Sequence, residues 1–328
     1  YTIDVYRGQA MPARSFVDFA CYVSMFPQLV AGPIVRYHEV STQLVSRRHS
    51  MAGFAAGCAL FMAGFAKKVL LADNCALLAD PVFAGQPGCL DAWLGLFAYA
   101  LQIYFDFAGY SDMAIGLALM LGFELPENFR SPYRADSITA FWRRWHISLS
   151  TWLRDYLYVP LGGNRHGALL TYRNLFLTML LGGLWHGAAW NFVLWGGYHG
   201  ALLAVERRAA GRPLYVRLPR PLRVLLTFVL VAIGWALFRA DGADGITRIF
   251  AGLFGGHGGG ALPQPAAHQQ EAWTGLLLGA SIAWLAPPAR DAVDRGRVWF
   301  DLLLVGCFVL ALAQLSDRQF SPFIYFQF

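Results

Sequence analysis

The chain has 328 residues, of which 57% are hydrophobic and only 14% are charged. Soluble domains carry about 25% charged residues, so this chain has too little polar surface to coat a water-soluble globule. The net charge of +6 does not indicate a nucleic-acid partner, because the basic residues stand in small groups between apolar runs, as in loops between membrane helices. We therefore expect an integral membrane protein that does not bind nucleic acid.

The chain begins at Tyr1 and not at a methionine, and its first residues lack the short apolar core found in a signal peptide. The chain thus begins like the interior of a longer membrane protein. We expect residues 1–328 to form a single transmembrane domain whose first spans precede Tyr1.

The candidate membrane helices are residues 16–35, 51–72, 92–107, 113–123, 175–185, 190–205, 222–238, 273–286 and 298–315. A spanning helix needs about 20 mainly apolar residues, and several of these stretches are shorter or are interrupted by proline. Irregular backbone at membrane depth is tolerated only inside protein or beside a water-filled cavity. The pattern predicts an all-α bundle in the membrane, with a central funnel or tunnel.

Polar residues concentrate in the middle third of the chain. Asp106 and Asp112 lie in otherwise apolar surroundings, and Asn128 follows in a polar stretch. Ionisable residues in membrane segments are costly and by default mark functional sites. We take these three residues as candidates for binding a substrate or for orienting a catalytic base.

The segment 141–156 is rich in Trp and Arg. At helical spacing one face of it carries Trp142, Trp145, Leu149, Trp152 and Tyr156. This pattern predicts a helix that lies at the membrane interface or re-enters it. Its arginines, Arg143, Arg144 and Arg154, have two interpretations: an amphipathic anchor, or a site for a phosphate-bearing donor such as coenzyme A.

His186 lies in a glycine-rich stretch, 182–191, that also contains Trp185 and Asn191. An imidazole titrates near neutrality, so it can take a proton from a hydroxyl group that attacks a carbonyl carbon. Glycines on either side would let a ligand approach the backbone closely. The alternatives are a histidine that bridges two helices, or a haem ligand together with His146.

The sequence contains no nucleophile elbow, zinc-protease motif or P-loop. We therefore predict no metal ligands and no bound cofactor. If the protein transfers an acyl group, the pattern favours direct transfer, or a covalent intermediate that the sequence does not reveal.

The runs 102–112, 126–133, 141–165 and 182–200 resemble the motifs of the membrane-bound O-acyltransferase (MBOAT) family, and within it the branch that serves bacterial alginate O-acetylation. The resemblance implies a multi-helix membrane fold with a tunnel. It implies that His186 is the catalytic histidine and that His146 is a second functional histidine. Trp185 and Asn191 then become candidates beside the catalytic residue.

The resemblance also implies an enzyme of the bacterial inner membrane. Such an enzyme would move an acetyl group from acetyl-CoA, or a similar cytoplasmic donor, across the bilayer to an exported polysaccharide, with alginate as the first expectation. A periplasmic acetyltransferase would be its partner. Within the family, the alternative is D-alanyl or acetyl transfer to teichoic acid, peptidoglycan or cellulose. Outside it, the alternatives are a scaffold or a proton-coupled transporter that uses His186 and Asp112.

Overall fold

The computed structural model describes residues 1–29, 31–209, 216–256, 268–318 and 323. Most of these residues are helical, and no β-strand occurs among them. The α-helices of this part of the chain are Thr2–Tyr6 (α1), Phe16–Val23 (α2), Tyr37–Val45 (α3), Met51–Ala66 (α4), Asp73–Ala84 (α5), Cys89–Met120 (α6), Ile138–Trp142 (α7), Ile147–Leu153 (α8), Ala168–His186 (α9), Trp190–Arg208 (α10), Arg220–Arg239 (α11), Gly242–Leu253 (α12), Gln269–Leu285 (α13), Ala289–Val293 (α14) and Val298–Asp317 (α15).

Three helical stretches of the described part are long and apolar enough to cross a membrane. They are α11, α15 and the stretch Met51–Ala84, in which a π-helical turn at Lys67–Ala72 joins α4 to α5. The predicted all-α fold with membrane-spanning helices is confirmed to this extent. The expected funnel and re-entrant helices stay predictions.

The candidate spans 92–107 and 113–123 are one helix, and the prediction of two short segments is wrong. The helix α6 has 32 residues, which corresponds to about 48 Å at 1.5 Å per residue. The carboxylates Asp106 and Asp112 do not break this helix, because Lys68 and Lys67, which lie outside it, pair with them.

Glycines bring α4 and α6 into backbone contact. A Cβ atom added to Gly64 would lie 2.4 Å from the carbonyl oxygen of Gly109, and one added to Gly116 would lie 2.6 Å from that of Gly57. On each helix the two glycines are seven residues apart, which is about two helical turns. Both contacts therefore fall on one face, as in the small-residue interfaces of membrane helices.

The long helix α6 is the centre of the bundle, and α4, α5, α11, α12 and α13 all pack against it. Most of its middle section is buried. On another side of the molecule, α9 and α10 form a close antiparallel pair, and α10 also contacts α7 and α11. The short helices α7 and α8 lie beside this pair and provide the remaining walls of the site described below.

The prediction of one continuous amphipathic helix over 141–156 is wrong. The helix α7 ends at Trp142, α8 begins at Ile147, and a π-helical turn follows at Arg154–Tyr158. Between the two helices the chain turns at His146, whose φ of 43° is left-handed. Trp145, which the pattern placed on the same face as Trp142, is 2% exposed and packs into the core.

Candidate active site

A cavity of about 520 Å³ lies between α7, α8, α9 and α10. His186, the last residue of α9, lines it. So do Arg143, directly after α7, and Arg154, directly after α8. The structure thus brings three of the predicted site residues to one cavity. Its volume falls in the range of small-molecule sites, about 300–1,000 Å³.

Aromatic rings surround the His186 imidazole. The ring centroids of Trp195 and Phe238 lie 5.3 Å and 5.2 Å from that of His186, both edge to face, and the Phe192 ring lies 6.3 Å away. These rings come from α10 and α11, so the packing of those helices fixes the walls around the imidazole. Such a shell limits the access of water to the reacting groups.

The glycines near His186 serve helix packing first. A Cβ atom added to Gly183 would lie 2.2 Å from the carbonyl oxygen of Phe192, and one added to Gly196 would lie 2.5 Å from that of Met179. The expectation that glycines open the backbone to a ligand holds only in part, since Gly182 does line the cavity. The close approach of α9 to α10 is what places His186 against the rings of α10.

His146 lies behind the cavity wall and is 7% exposed. Its Nδ1 atom lies 3.0 Å from Oδ1 of Asn128, and the Phe107 ring packs edge to face against the imidazole, with centroids 4.7 Å apart. The left-handed backbone at His146 is uncommon outside glycine and costs energy, and such conformations cluster at functional sites. The surrounding loop holds this conformation in place.

Asn128 fixes the orientation of the His146 ring. Its Oδ1 accepts hydrogen bonds from the hydroxyl of Ser148, at 2.9 Å, and from the backbone N–H of Ser148, at 3.3 Å. A backbone N–H can only donate, so the amide oxygen faces this group and the Nδ1 atom of His146 must donate to it as well. In the neutral ring the lone pair is then on Nε2, the state that a proton acceptor needs.

Backbone hydrogen bonds brace the same turn. The N–H of Ile147 donates to the carbonyl of Asn128 at 2.9 Å, and the N–H of Arg130 donates to the carbonyl of Arg144 at 3.0 Å. Ile147, the residue after His146, lines the cavity, so the turn at His146 adjoins it. Of the two histidines, only His186 lines the cavity itself.

The cavity arginines differ in how far their charge is already satisfied. Arg154 makes two hydrogen bonds to the carboxylate of Asp155, at 2.6 Å and 3.1 Å, and Arg36 pairs with the same carboxylate at 2.8 Å. The hydrogen bond from Arg154 lowers the pKa of Asp155 below its usual value. Among the described residues no ion pair engages the exposed Arg143. Arg143 is therefore the stronger candidate for a phosphate-bearing donor.

The carboxylates Asp106 and Asp112 do not face the cavity. Asp112 pairs with Lys67, and Asp106 pairs with Lys68 at 2.7 Å. Lys68 also pairs with Asp73 at 2.7 Å. Both lysines lie in the π-helical turn of Lys67–Ala72, and π-turns frequently mark functional or specialised positions. These carboxylates hold α6 to the neighbouring helix.

The remaining candidates occupy three different settings. Asn191 donates to the carbonyl oxygen of Phe238 at 3.2 Å and so ties α10 to α11 beside His186. The side chain of Trp185 is 61% exposed and packs against Trp152 outside the cavity. Arg144 does not line the cavity, and its carbonyl helps to brace the His146 turn.

Sequence reasoning missed Glu206, which positions one wall of the cavity. This carboxylate is 3% exposed and accepts hydrogen bonds from the backbone N–H groups of Ile138 and Thr139, at 2.8 Å and 3.1 Å. It thereby caps the start of α7, the helix that leads to Trp142 and Arg143. An acidic residue within an otherwise apolar helix was the signal that could have found it.

Among the described residues, no three His, Cys, Asp or Glu side chains come together as possible ligands of a metal ion. The cavity of this helical protein carries an imidazole, which can act as a general base, and two arginines, which can bind an anionic group. The sequence profile described as MBOAT, membrane-bound O-acyltransferase family, matches residues 10–211. The chain belongs to this family of membrane O-acyltransferases.

Named relatives match about three quarters of the chain or all of it. It is 46% identical to a Pseudomonas putida protein named probable alginate O-acetylase AlgI, over 100% of the chain and 72% of that protein. The Pseudomonas fluorescens protein of the same name is 55% identical over 77% of the chain and 51% of that protein. The Helicobacter pylori peptidoglycan O-acetyltransferase is 44% identical over 74% of the chain and 47% of that protein.

Proposed function

We propose that this protein is the membrane O-acyltransferase of alginate O-acetylation and that His186 is its general base. The observation that carries the proposal is the position of His186 on a cavity that Arg143 also lines. The identity of 46% to a probable alginate O-acetylase over the full chain supports alginate as the polymer served. The chain would act as a single membrane domain in the bacterial inner membrane.

In the proposed reaction, His186 takes the proton from an acceptor hydroxyl as its oxygen attacks the thioester carbonyl carbon of the donor. The new C–O bond forms, the C–S bond breaks, and the proton passes from the imidazole to the departing thiolate. General acid–base catalysis of this kind contributes about 10²–10⁴-fold. The rings of Trp195 and Phe238 would keep water from competing for the acyl group.

Acetyl-CoA is the proposed donor, and Arg143 is the proposed contact for its phosphate groups. An arginine matches phosphate geometry with two parallel hydrogen bonds. His146, which Asn128 orients, would act as the second functional histidine by holding the turn that places Ile147 on the cavity wall. The acceptor hydroxyl would belong to a periplasmic acetyltransferase, which then passes the acetyl group to the polysaccharide. Alternatively, it would belong to the polysaccharide itself.

Acetyl transfer to peptidoglycan is the second candidate function. It rests on the identity of 44% to a peptidoglycan O-acetyltransferase over 74% of the chain. The two candidates share the same site and the same chemistry, so they differ only in the polymer that is modified.

Complementation separates these functions. The gene would be expressed in an alginate-producing bacterium that lacks its own alginate O-acetylase, and ester-linked acetate would be measured on purified alginate and on purified peptidoglycan. Acetate restored on alginate alone, and not by a His186→Ala variant, would support the main proposal. Acetate on peptidoglycan alone would support the second candidate, and acetate on neither polymer would contradict both.

A further inference from the structure

A second cavity lies on the side of the bundle away from His186. It is a groove of about 490 Å³, and its walls come from α4, α6, α13, α14, α15 and the π-helical turn at Lys67–Ala72. Both α13 and α15 pack on the stretch Met51–Ala84 rather than mainly on each other, which leaves a groove between them. The groove does not include His146 or His186.

The walls of this groove are mainly apolar, and Lys67, which also lines it, is paired with Asp112. Leu278 and Ile282 of α13 face it, and so do Leu303 and Cys307 of α15. Leu278 and Leu303 are each 52% exposed, so the groove is open to the surroundings of the protein. An exposed apolar groove of this kind at membrane depth fits a hydrocarbon chain.

One end of the groove is cationic. Arg295 and Arg297 line it there, next to Trp299, which is 60% exposed. Trp and Arg at the start of an apolar helix mark the membrane–water interface. Leu303 and Cys307 follow five and nine residues after α15 begins, or about 8 to 14 Å further into the bilayer.

The charges of the two arginines are not neutralised within the described part of the chain. Neither forms an ion pair there, whereas the nearby Asp294 already pairs with Arg290 at 3.4 Å. Asp301, one turn after Arg297, forms no ion pair with either arginine. The groove therefore offers two available cations at the interface and an apolar channel beneath them.

We propose that this groove binds one anionic phospholipid, with its phosphate on Arg295 and Arg297 and an acyl chain between α13 and α15. Charge complementarity selects the anionic headgroup, because basic residues near a membrane surface attract anionic lipids. The apolar walls select a lipid over a free phosphate ion. The bound lipid fills the space between α13 and α15, which otherwise have little contact with each other.

The test is lipid binding by the purified chain in dodecyl maltoside micelles. Native mass spectrometry would count the molecules of dioleoylphosphatidylglycerol or dioleoylphosphatidylcholine that the protein retains in a titration. The wild type should retain one phosphatidylglycerol in preference to phosphatidylcholine. An R295Q/R297Q variant should bind that phosphatidylglycerol about 30-fold more weakly, because it lacks two cationic contacts.

Two further variants keep the test specific. R217Q/R220Q removes a pair of exposed arginines elsewhere and should retain the phosphatidylglycerol. Leu303→Trp fills the groove without changing its charge, and it should lose the lipid. Excess inorganic phosphate should not displace it. Unchanged retention in both R295Q/R297Q and Leu303→Trp, equal retention of the two lipids by the wild type, or displacement by phosphate would each overturn the proposal.

Discussion

Two regions of this protein place charged or titratable side chains in apolar surroundings, and they do so in opposite ways. Where α4 and α5 meet α6, Lys67 and Lys68 neutralise Asp112 and Asp106 across closely packed helices. Beside α9 and α10, His186 lines a cavity, and the nearby Arg143 has no ion pair within the described part of the chain. The first arrangement holds helices together, and the second places an imidazole and an arginine on a cavity of the size of a small-molecule site.

This difference shows that an ionisable residue in an apolar segment is not by itself evidence of catalysis. Pairing decides between the two roles, because a charge removed from water must be compensated. The paired carboxylates of α6 are therefore expected to govern stability. The imidazoles and the unpaired arginine are expected to govern turnover.

The largest expected effect on stability comes from breaking the contact between α4 and α6. Leu in place of Gly64 would meet the backbone oxygen of Gly109, which cannot move away as a flexible side chain could. We expect Gly64→Leu to lower the free energy of unfolding by about 3 kcal/mol. Thermal unfolding in detergent measures this, with Gly306→Leu on the exposed side of α15 as the control that should change little.

Breaking one ion pair of α6 should have the next largest effect. Asp112→Leu leaves Lys67 without its partner, and we expect a loss of about 2 kcal/mol in stability because both side chains are largely buried. Lys67→Met combined with Asp112→Leu should recover most of that loss. Acetate transferred per folded molecule should stay near the wild-type value in the double variant. A loss of transfer without a loss of stability would contradict the structural role.

The Asn128–His146 hydrogen bond tests the second of the two regions, the one around the cavity. Asn128→Leu removes the acceptor that fixes the His146 ring, and we expect acetyl transfer to fall about tenfold. Asn128→Asp keeps an acceptor oxygen in the same place and should retain more activity. The measurement is the rate of transfer per folded protein across pH. Equal losses in both variants would show that the site responds only to altered packing.

The smallest effect is expected at the donor contact. Arg143→Gln should raise the KM for the acetyl donor about fivefold and leave kcat nearly unchanged, since the charge-assisted contact to an exposed phosphate is lost. Arg144→Gln is the matched control, because Arg144 is the adjacent arginine and does not line the cavity. A larger effect at Arg144 than at Arg143 would contradict the assignment of the donor site.

The sequence was sufficient for an all-α fold with membrane-spanning helices, because hydropathy is a local signal. It also singled out His186, Arg143 and Arg154, which the structure brings to one cavity, and their roles stay predictions. It could not reveal that α6 continues through its carboxylates. The lysine that neutralises Asp112 lies 45 residues earlier in the chain. A charge pattern within α6 alone therefore overstates the cost of burying those carboxylates.

The break at His146 was equally hidden. The apolar residues of 141–156 recur at nearly ideal helical spacing, yet the chain turns at His146. The cause is Asn128, 18 residues earlier, whose side chain binds the imidazole and whose backbone carbonyl accepts a hydrogen bond from the N–H of Ile147. Tertiary contacts override a local periodic pattern in such cases. The glycines beside His186 predicted a close approach of a ligand to the backbone, whereas their close contacts are with the facing helix.

The central claim is that His186 provides the chemistry and that the charged residues of α6 do not. The most direct test measures ester-linked acetate on exopolysaccharide, at matched membrane levels, for the wild type, His186→Ala and the Lys67→Met/Asp112→Leu double variant. We predict a loss of about 100-fold or more for His186→Ala and near wild-type acetate for the double variant. Near wild-type acetate in His186→Ala would contradict the account.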